Sequence, residues 1–327
     1  MAKLIIQIPC LNEASTLPAT LADLPRALPG IDAIEYLVVD DGSSDGTAAV
    51  ARAHGIHHLV RFKQPRGLAA AFTAGIDASL KLGADVIVNT DADNQYSGRD
   101  IGRLIAPLLA GEFDIVIGDR NIREIRHMSW QKKLLQRFGS WTVRRVSNTA
   151  VPDTTSGFRA YTREAALRMT IISDFSYTLE SIIQAGKKRM AIGHVEIASN
   201  ANTRPSRLFG SLLGYLKRSS ATIVRIYTMY EPLKVFSYIG GAMVLAGLAA
   251  TTPFLYSYLR GGYEPGKIQS LIFAAALIIV GFQIVLIGFV ADLIAGSRKL
   301  IEDVLYRVRR MELGDDRERG DRPAGDR

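Results

Sequence analysis

Two aspartates, Asp91 and Asp93, stand one residue apart directly after the apolar run 85–90, and Gln95 follows them. Carboxylate oxygens suit hard divalent cations such as Mg²⁺ and Mn²⁺, which often bridge phosphates at the same time. The amide oxygen of Gln95 could supply a further ligand. Such a triplet also occurs in surface loops, where the aspartates only cap a turn. The spacing predicts a metal site and leaves that alternative open.

A second acidic pair, Asp40 and Asp41, follows the apolar run 36–39 and precedes a Gly/Ser-rich turn. Carboxylates at such a strand end can accept hydrogen bonds from a ribose or a nucleobase. The alternative for Asp40 is that it only orders the turn. The pair predicts a nucleotide site close to the end of a strand.

Arginines that could hold phosphate lie farther along the chain, at Arg159 and at Arg204 and Arg207. A guanidinium group binds phosphate oxygens in a bidentate manner. Arg204 and Arg207 shortly precede long apolar segments, where the phosphate of a lipid would arrive, although attraction to anionic headgroups is an alternative. Asp153 and Glu180 are candidate carboxylates on the acceptor side, with a structural role as the alternative for each.

Short apolar runs alternate with helical patterns over residues 1 to about 200. This alternation predicts βαβ units, and therefore an α/β fold with a mostly parallel sheet that has helices on both faces. Ligands bind such sheets at the carboxyl ends of the strands, where both acidic pairs lie.

Residues 235–259 and 268–295 form two long apolar segments. Each exceeds the roughly 20 residues that cross a bilayer as a helix, with a pair of buried core helices as the alternative. The Gly-rich connection 260–267 predicts a tight helical hairpin, which places both flanks on one side. Both flanks carry basic residues, so the positive-inside rule places that side in the cytoplasm.

The composition narrows the classes of protein and partner. A hydrophobic content of 48% excludes a wholly disordered chain, and the single cysteine, Cys10, excludes an intrachain disulfide. A net charge of +8 favours anionic partners such as phosphorylated ligands or a membrane surface. Nucleic acid is not expected as a partner, because the basic residues concentrate around the membrane segment.

The sequence divides into four expected regions. They are a catalytic domain (1–203), amphipathic interfacial helices (204–234), two transmembrane helices (235–296), and a basic helix with a disordered tail after Met311 (297–327).

Several ordered segments together resemble a known family. They are P-x-L-N-E (Pro9 to Glu13), VVDDGSSDGT, RGLAAAFTAGI, DADNQ, GDR (Gly118 to Arg120) and SGFRAYTR. The set is similar to the family 2 glycosyltransferases of the dolichol-phosphate mannose synthase and bacterial polyprenyl-phosphate glycosyltransferase type. The similarity spans residues 4 to about 210, and the two C-terminal spans resemble those of the bacterial members.

This resemblance implies a GT-A (Rossmann-like) fold, an NDP-sugar donor, a polyprenyl-phosphate acceptor, a Mg²⁺ or Mn²⁺ cofactor and transfer with inversion. It implies a multi-pass protein of the inner (cytoplasmic) membrane, with the catalytic domain and both termini in the cytoplasm. A homo-oligomer is also possible for such a protein.

The resemblance and the residue patterns described above together give a set of expected site residues. The expected nucleotide-binding residues are Pro9, Leu11, Asn12, Glu13, Asp40, Asp41 and Gly67. The expected metal ligands are Asp91, Asp93 and Gln95, and the expected catalytic residues are Asp91, Asp93, Arg120 and Asp153. The expected phosphate and acceptor contacts are Lys133, Ser156, Arg159, Arg204, Ser206 and Arg207.

Two other functions compete with this reading. A processive polysaccharide synthase would be a related enzyme, but only two spans are expected and the sequence has no Q-x-x-R-W motif. A catalytically inactive nucleotide-sugar-binding membrane scaffold is the other, and the intact D-x-D and SGFR segments argue against it.

Overall fold

The computed structural model describes the residue ranges 2–120, 141–147, 149–172, 177–198, 200, 212–260 and 268–320, with the backbone alone for 212–219 and 314–320. The strands are β1 (Lys3–Cys10), β2 (Ala33–Asp40), β3 (His58–Arg61), β4 (Val86–Asn89), β5 (Ile115–Asp119), β6 (Arg159–Thr162) and β7 (Ile192–Glu196). The α-helices are α1 (Leu17–Asp23), α2 (Thr47–Ala53), α3 (Leu68–Lys81), α4 (Ile101–Leu109), α5 (141–147), α6 (Arg163–Arg168), α7 (Tyr177–Lys187), α8 (Leu212–Tyr230), α9 (Pro232–Leu259) and α10 (Ile268–Gly320). A short 3₁₀ turn, Gly98–Asp100, precedes α4.

The described strands form one seven-stranded sheet in the order β3-β2-β1-β4-β6-β5-β7. Only β6 runs antiparallel to its neighbours β4 and β5, and the other pairs are parallel. In β1, every residue after Lys3 is buried, which is typical of a strand that is covered on both faces. The expected mostly parallel α/β sheet is confirmed.

Alternate side chains of β1 enter two separate layers. Leu4, Ile6 and Ile8 belong to a buried apolar cluster that also contains side chains of α1 and α4. On the opposite face, Gln7 lies against Gly75 of α3, where a Cβ atom would collide with the Gln7 amide. This alternation follows from the two-residue period of a strand, and it gives the sheet helices on both faces.

Helices α9 and α10 form the predicted hairpin. A Cβ atom on Gly281 would lie 2.7 Å from the carbonyl oxygen of Gly240, and one on Gly247 would lie 2.9 Å from that of Ala274. These pairs run in opposite directions along the two helices, so the helices are antiparallel. Glycine lets their backbones approach closely, as in packed membrane helices. Both helices are long and apolar enough to cross a membrane.

The chain divides into two compact units. The described residues of Met1–Ile223 and Leu305–Arg327 form one unit, and Val224–Val304 form the other. The first unit therefore includes the C-terminal end of α10 as well as the described residues of the predicted N-terminal domain.

The end of α10 differs from the sequence prediction, because the helix continues to Gly320. The Tyr306 hydroxyl donates to Glu164 Oε1 of α6 at 2.8 Å, and Arg309 Nη1 donates to the Met169 carbonyl at 3.1 Å. Leu313 is buried. Tertiary packing of this kind stabilises the helix as far as Leu313, whereas the composition after Met311 predicts a disordered tail.

Candidate active site

The parallel strands β1, β2 and β4 end at the same edge of the sheet. Cys10 lies beside Asp40 in the β1–β2 pairing, and Gln7 lies beside Asn89 in the β1–β4 pairing. Both acidic pairs of the sequence follow these strand ends, which is where ligands bind in parallel sheets.

Asp41 holds the start of α3. Its carboxylate accepts hydrogen bonds from the backbone nitrogens of Arg66 at 2.6 Å and Gly67 at 2.9 Å. Gly67 has a φ angle of +94°, a conformation that favours glycine. The structure therefore brings Asp41 and Gly67, both expected near the nucleotide, into direct contact.

Asp40 is completely buried. Its Oδ1 accepts from the backbone nitrogen of Ser43 at 2.9 Å, and Arg61 Nε lies 3.1 Å from its Oδ2. Pro9 of β1 is likewise buried. Asp40 orders the turn after β2, and neither side chain reaches solvent. The expected nucleotide contacts of Asp40 and Pro9 stay predictions.

The loop after β1 presents one apolar and one acidic residue. Leu11 is 36% exposed, whereas Glu13 is buried and its Oε2 accepts from the Thr16 hydroxyl at 2.8 Å. Asn12 lies between them with a φ of +54°, and its Oδ1 accepts from the backbone nitrogen of Ser44 at 2.9 Å. The bond between Asn12 and Ser44 fastens the loop after β1 to the turn after β2.

Asp91 and Asp93 follow β4, and both are partly exposed. The Gln95 backbone nitrogen donates to Asp93 Oδ1 at 3.2 Å. Asn200, which follows β7, donates its backbone nitrogen to the Gln95 carbonyl at 2.9 Å and its Nδ2 to the Asn94 carbonyl at 3.0 Å. Asn200 therefore fixes the loop of the acidic pair, a role that no local pattern in the sequence indicates.

The acidic pair is electrostatically strained. Desolvation, and after it repulsion from Asp93, raise the pKa of Asp91 to about 7, although Arg120 and Arg159 oppose the shift. A cation between the carboxylates would relieve this repulsion. The Oδ1 atom of the adjacent Asn94 is buried and has no hydrogen-bond partner among the described residues. The residues present fit a hard divalent cation.

The described residues contain no group of three or more His, Cys, Asp or Glu side chains that could hold a metal. A cation held by Asp91 and Asp93 would therefore complete its shell with water or ligand oxygens. Mg²⁺ commonly binds in this way, through one or two carboxylates and substrate phosphates.

Arg120 and Asp153 form a buried ion pair. Arg120 Nε donates to Asp153 Oδ2 at 2.7 Å and Nη2 donates to Oδ1 at 3.1 Å. Oδ1 also accepts from the backbone nitrogens of Thr155 and Ser156, both at 3.1 Å. Burial alone would raise the pKa of Asp153, but the Arg120 guanidinium and these hydrogen bonds lower it. Asp153 therefore stays ionised and orients Arg120, a placement that does not fit a proton-transfer role.

Arg159 differs from its expected role as a phosphate ligand. The side chain is fully buried, and its guanidinium donates to the carbonyl oxygens of Ser156 at 2.7 Å, Thr178 at 2.8 Å and Thr154 at 3.0 Å. A further bond of 2.6 Å joins it to Ser181 Oγ. Ser156 is also fully buried. These two residues shape the 154–156 turn from within instead of contacting a ligand.

Glu180 likewise takes the structural alternative. It is fully buried in α7, and its Oε1 accepts from the Ile172 backbone nitrogen at 3.0 Å and from Gln184 Nε2 at 3.1 Å. Its carboxylate braces the segment before α7.

Three residues beside Asp91 are absent from the expected set. Asn89 and Tyr96 each form a hydrogen bond with Gly157, and Gly157 lies next to the Asp91 carboxylate. The signals in the sequence are the polar Asn89 inside an apolar run and the place of Gly157 in the SGFRAYTR segment. The remaining expected phosphate and acceptor contacts lie outside the described residues and stay predictions: Lys133, Arg204, Ser206 and Arg207.

Comparison with protein families matches residues 5–169 to "Glycosyl transferase family 2". The chain belongs to this family. A second match, "Glycosyltransferase family 2 C-terminal transmembrane region", covers residues 206–295. The protein is therefore a family 2 glycosyltransferase with a C-terminal membrane region, as the motifs indicate.

Named relatives cover different parts of the chain. Polyprenol monophosphomannose synthase of Mycolicibacterium smegmatis is 33% identical over 49% of this chain and 62% of its own length. Glycosyltransferase AglJ of Haloferax volcanii is 27% identical over 94% of this chain and 97% of its own. An undecaprenyl-phosphate 4-deoxy-4-formamido-L-arabinose transferase of Sodalis glossinidius is 28% identical over 94% and 92%.

Solved structures share the fold. Glucosyl-3-phosphoglycerate synthase of Mycobacterium tuberculosis, in complex with Mn²⁺, UDP-glucose and phosphoglyceric acid, superposes with a TM-score of 0.56 at 22% identity. The alignment covers 69% of this chain and 80% of the other. This likeness supports the expected GT-A fold.

Proposed function

We propose that this family 2 glycosyltransferase transfers a sugar from an NDP-sugar to a polyprenyl phosphate, with inversion, at the cytoplasmic face of the inner membrane. The observation that carries the proposal is the strained Asp91–Asp93 pair, at the sheet edge where nucleotides bind, in a chain with a membrane hairpin. The names of the Mycolicibacterium and Sodalis relatives support this kind of reaction.

The nucleoside would lie at the ends of β1 and β2. Leu11 offers an exposed apolar surface there, and Glu13 and Asp41 offer carboxylates beside it. Hydrogen bonds fasten the loops that carry these residues, so the pocket would keep its shape before the donor arrives.

Asp91 and Asp93, with Gln95 as a further candidate ligand, would hold Mg²⁺ or Mn²⁺, which when bound supplies Lewis-acid stabilisation to the leaving diphosphate. Arg120 would add a fixed positive charge. Asp153 keeps the Arg120 guanidinium in one orientation. This guanidinium is close enough to Asp91 to oppose the rise in the pKa of the Asp91 carboxyl. A preoriented cation stabilises developing negative charge without reorganising during the reaction.

The phosphate of the acceptor would itself act as the nucleophile. A phosphate monoester has a second pKa of about 6, so it is largely a dianion at neutral pH and needs no protein base. This agrees with the burial and hydrogen bonding of Asp153 and Glu180, which leave neither carboxylate placed to receive a proton. Direct attack opposite the leaving diphosphate inverts the anomeric centre.

Transfer can be tested with purified protein, undecaprenyl phosphate and a panel of radiolabelled nucleotide sugars, with and without EDTA. We expect one donor to give label that extracts into organic solvent, and we expect EDTA to prevent it. Asp93→Ala should abolish the extractable label while the protein stays folded, whereas Asp114→Asn should not change it. Asp114 lies at the opposite edge of the sheet, where it accepts from the Ala191 backbone nitrogen at 2.8 Å.

Two results would contradict the proposal. Label that stays in water for every donor would favour a binding scaffold. Full activity of Asp93→Ala or full activity in EDTA would remove the metal role.

A further inference from the structure

The backbone of Gly157 forms a hydrogen bond through both its nitrogen and its carbonyl oxygen. Its nitrogen donates to the Tyr96 hydroxyl at 3.1 Å, and its carbonyl oxygen accepts from Asn89 Nδ2 at 2.8 Å. Asn89 is the last residue of β4, and Tyr96 follows the loop that carries Asp91 and Asp93. The two residues on either side of the acidic pair thus bind the two backbone polar groups of Gly157.

Gly157 lies directly against the Asp91 carboxylate. A Cβ atom at this position would be 2.8 Å from Oδ1 and 2.9 Å from Oδ2 of Asp91. Real side-chain atoms do not approach so closely, so any larger residue would push the carboxylate away. The position of the Gly157 backbone therefore limits where the Asp91 oxygens can lie.

Packing and further hydrogen bonds immobilise Tyr96 and Asn89. The Tyr96 ring stacks on Phe158, with centroids 5.1 Å apart and an interplanar angle of 10°. Asn89 Oδ1 accepts from Gln7 Nε2 at 2.8 Å, and Asn89 Nδ2 lies 2.8 Å from the Tyr177 hydroxyl. Tyr96 is 4% exposed and Asn89 is completely buried, so solvent cannot easily replace these bonds.

We propose that Asn89 and Tyr96 are positioning residues. They hold the Gly157 backbone against Asp91 and so keep the Asp91 carboxylate in place as a cation ligand. This inference rests on the metal site of the proposed function. Groups that orient metal ligands typically change metal affinity by 10- to 100-fold when they are lost.

Tyr96→Phe tests this role, because the variant keeps the stacked ring and removes only the acceptor for the Gly157 nitrogen. Tyr36→Phe is the matched control, since the Tyr36 hydroxyl donates to the Pro25 carbonyl at 3.0 Å, away from the acidic pair. Full-length proteins in detergent would be titrated with Mn²⁺ alone, with free Mn²⁺ followed by its EPR signal. Thermal unfolding of each variant would be recorded in parallel.

We expect both tyrosine variants to lose a few degrees of melting temperature, but only Tyr96→Phe to weaken Mn²⁺ binding, by about 10- to 100-fold. Gly157→Ala should weaken Mn²⁺ binding at least as much, and it decides the question should Tyr96→Phe fail to fold. Wild-type Mn²⁺ affinity in both Tyr96→Phe and Gly157→Ala would overturn the inference. Wild-type protein that binds no Mn²⁺ would overturn the metal site of the proposed function, and the inference with it.

Discussion

Replacing Asp153 by asparagine would keep the shape of the side chain but remove the charge that pairs with Arg120. Asp153 is completely buried and the Arg120 side chain is 16% exposed, so little solvent can compensate. Breaking a buried ion pair costs about 3–5 kcal/mol of unfolding free energy. Because Arg120 is partly exposed, we expect the lower end of this range, about 3 kcal/mol. For a unit of this size, that lowers the melting temperature by about 6–12 °C.

The matched control is Glu164→Gln, whose amide oxygen can still accept from the Tyr306 hydroxyl. Glu164 pairs with Arg168 at 2.7 Å, and both side chains are 46% exposed. Exposed pairs contribute about 0–1 kcal/mol, so this control should shift the melting temperature by no more than a few degrees.

Thermal unfolding and transfer kinetics, measured well below the transition, separate the two roles of Asp153. If it orients Arg120, Asp153→Asn should lower the melting temperature and raise KM for the donor, because the guanidinium loses its fixed direction. An unchanged melting temperature together with abolished transfer would refute this reasoning and return Asp153 to a chemical role.

Three further predictions concern pH, the acceptor and the hairpin. Folding raises the pKa of Asp91 from its usual value to about 7, so the metal-free protein should lose stability as pH rises from about 4 towards 7. Mn²⁺ should therefore raise the melting temperature more at pH 7.5 than at pH 5.5, and an equal gain at both would contradict this. Arg204→Ala should raise KM for polyprenyl phosphate or for the donor, and unchanged kinetics for both substrates would assign Arg204 to headgroup binding alone. Gly281→Leu should separate α9 from α10, because its Cβ would lie 2.7 Å from the Gly240 carbonyl oxygen. Melting of this variant in detergent at the wild-type temperature would show that this contact is not needed.

The sheet and its acidic edge follow from local patterns, whereas several side-chain roles do not. Apolar runs that end in aspartates indicate β2 and β4, and they correctly place both pairs at strand ends. No such pattern indicates the direction of β6, since the side chains of a short strand alternate in the same way in parallel and antiparallel pairing. Arginine is a residue type that commonly binds phosphate. Only the folded structure, in which carbonyl groups surround the Arg159 guanidinium, reveals its internal role.

Contacts between distant segments account for most of the remainder. Asn200 reaches the loop of the acidic pair from the end of β7, and Tyr96 meets Gly157 across 61 positions of sequence. Near the end of α10, Tyr306 contacts Glu164 and Arg309 contacts the Met169 carbonyl, 140 or more positions away in sequence. A single sequence contains no local signal for such partners.

The reversed direction of β6 has a consequence for how such enzymes can diverge. Because Ile117 of β5 lies beside Arg159 of β6, and the Gly118 nitrogen donates to the Phe158 carbonyl at 2.9 Å, the excursion 120–158 leaves and re-enters the sheet at adjacent points. Doubling the length of a flexible loop with fixed ends costs only about 0.6 kcal/mol. The length of chain between these two points can thus change while the strands beneath stay in register.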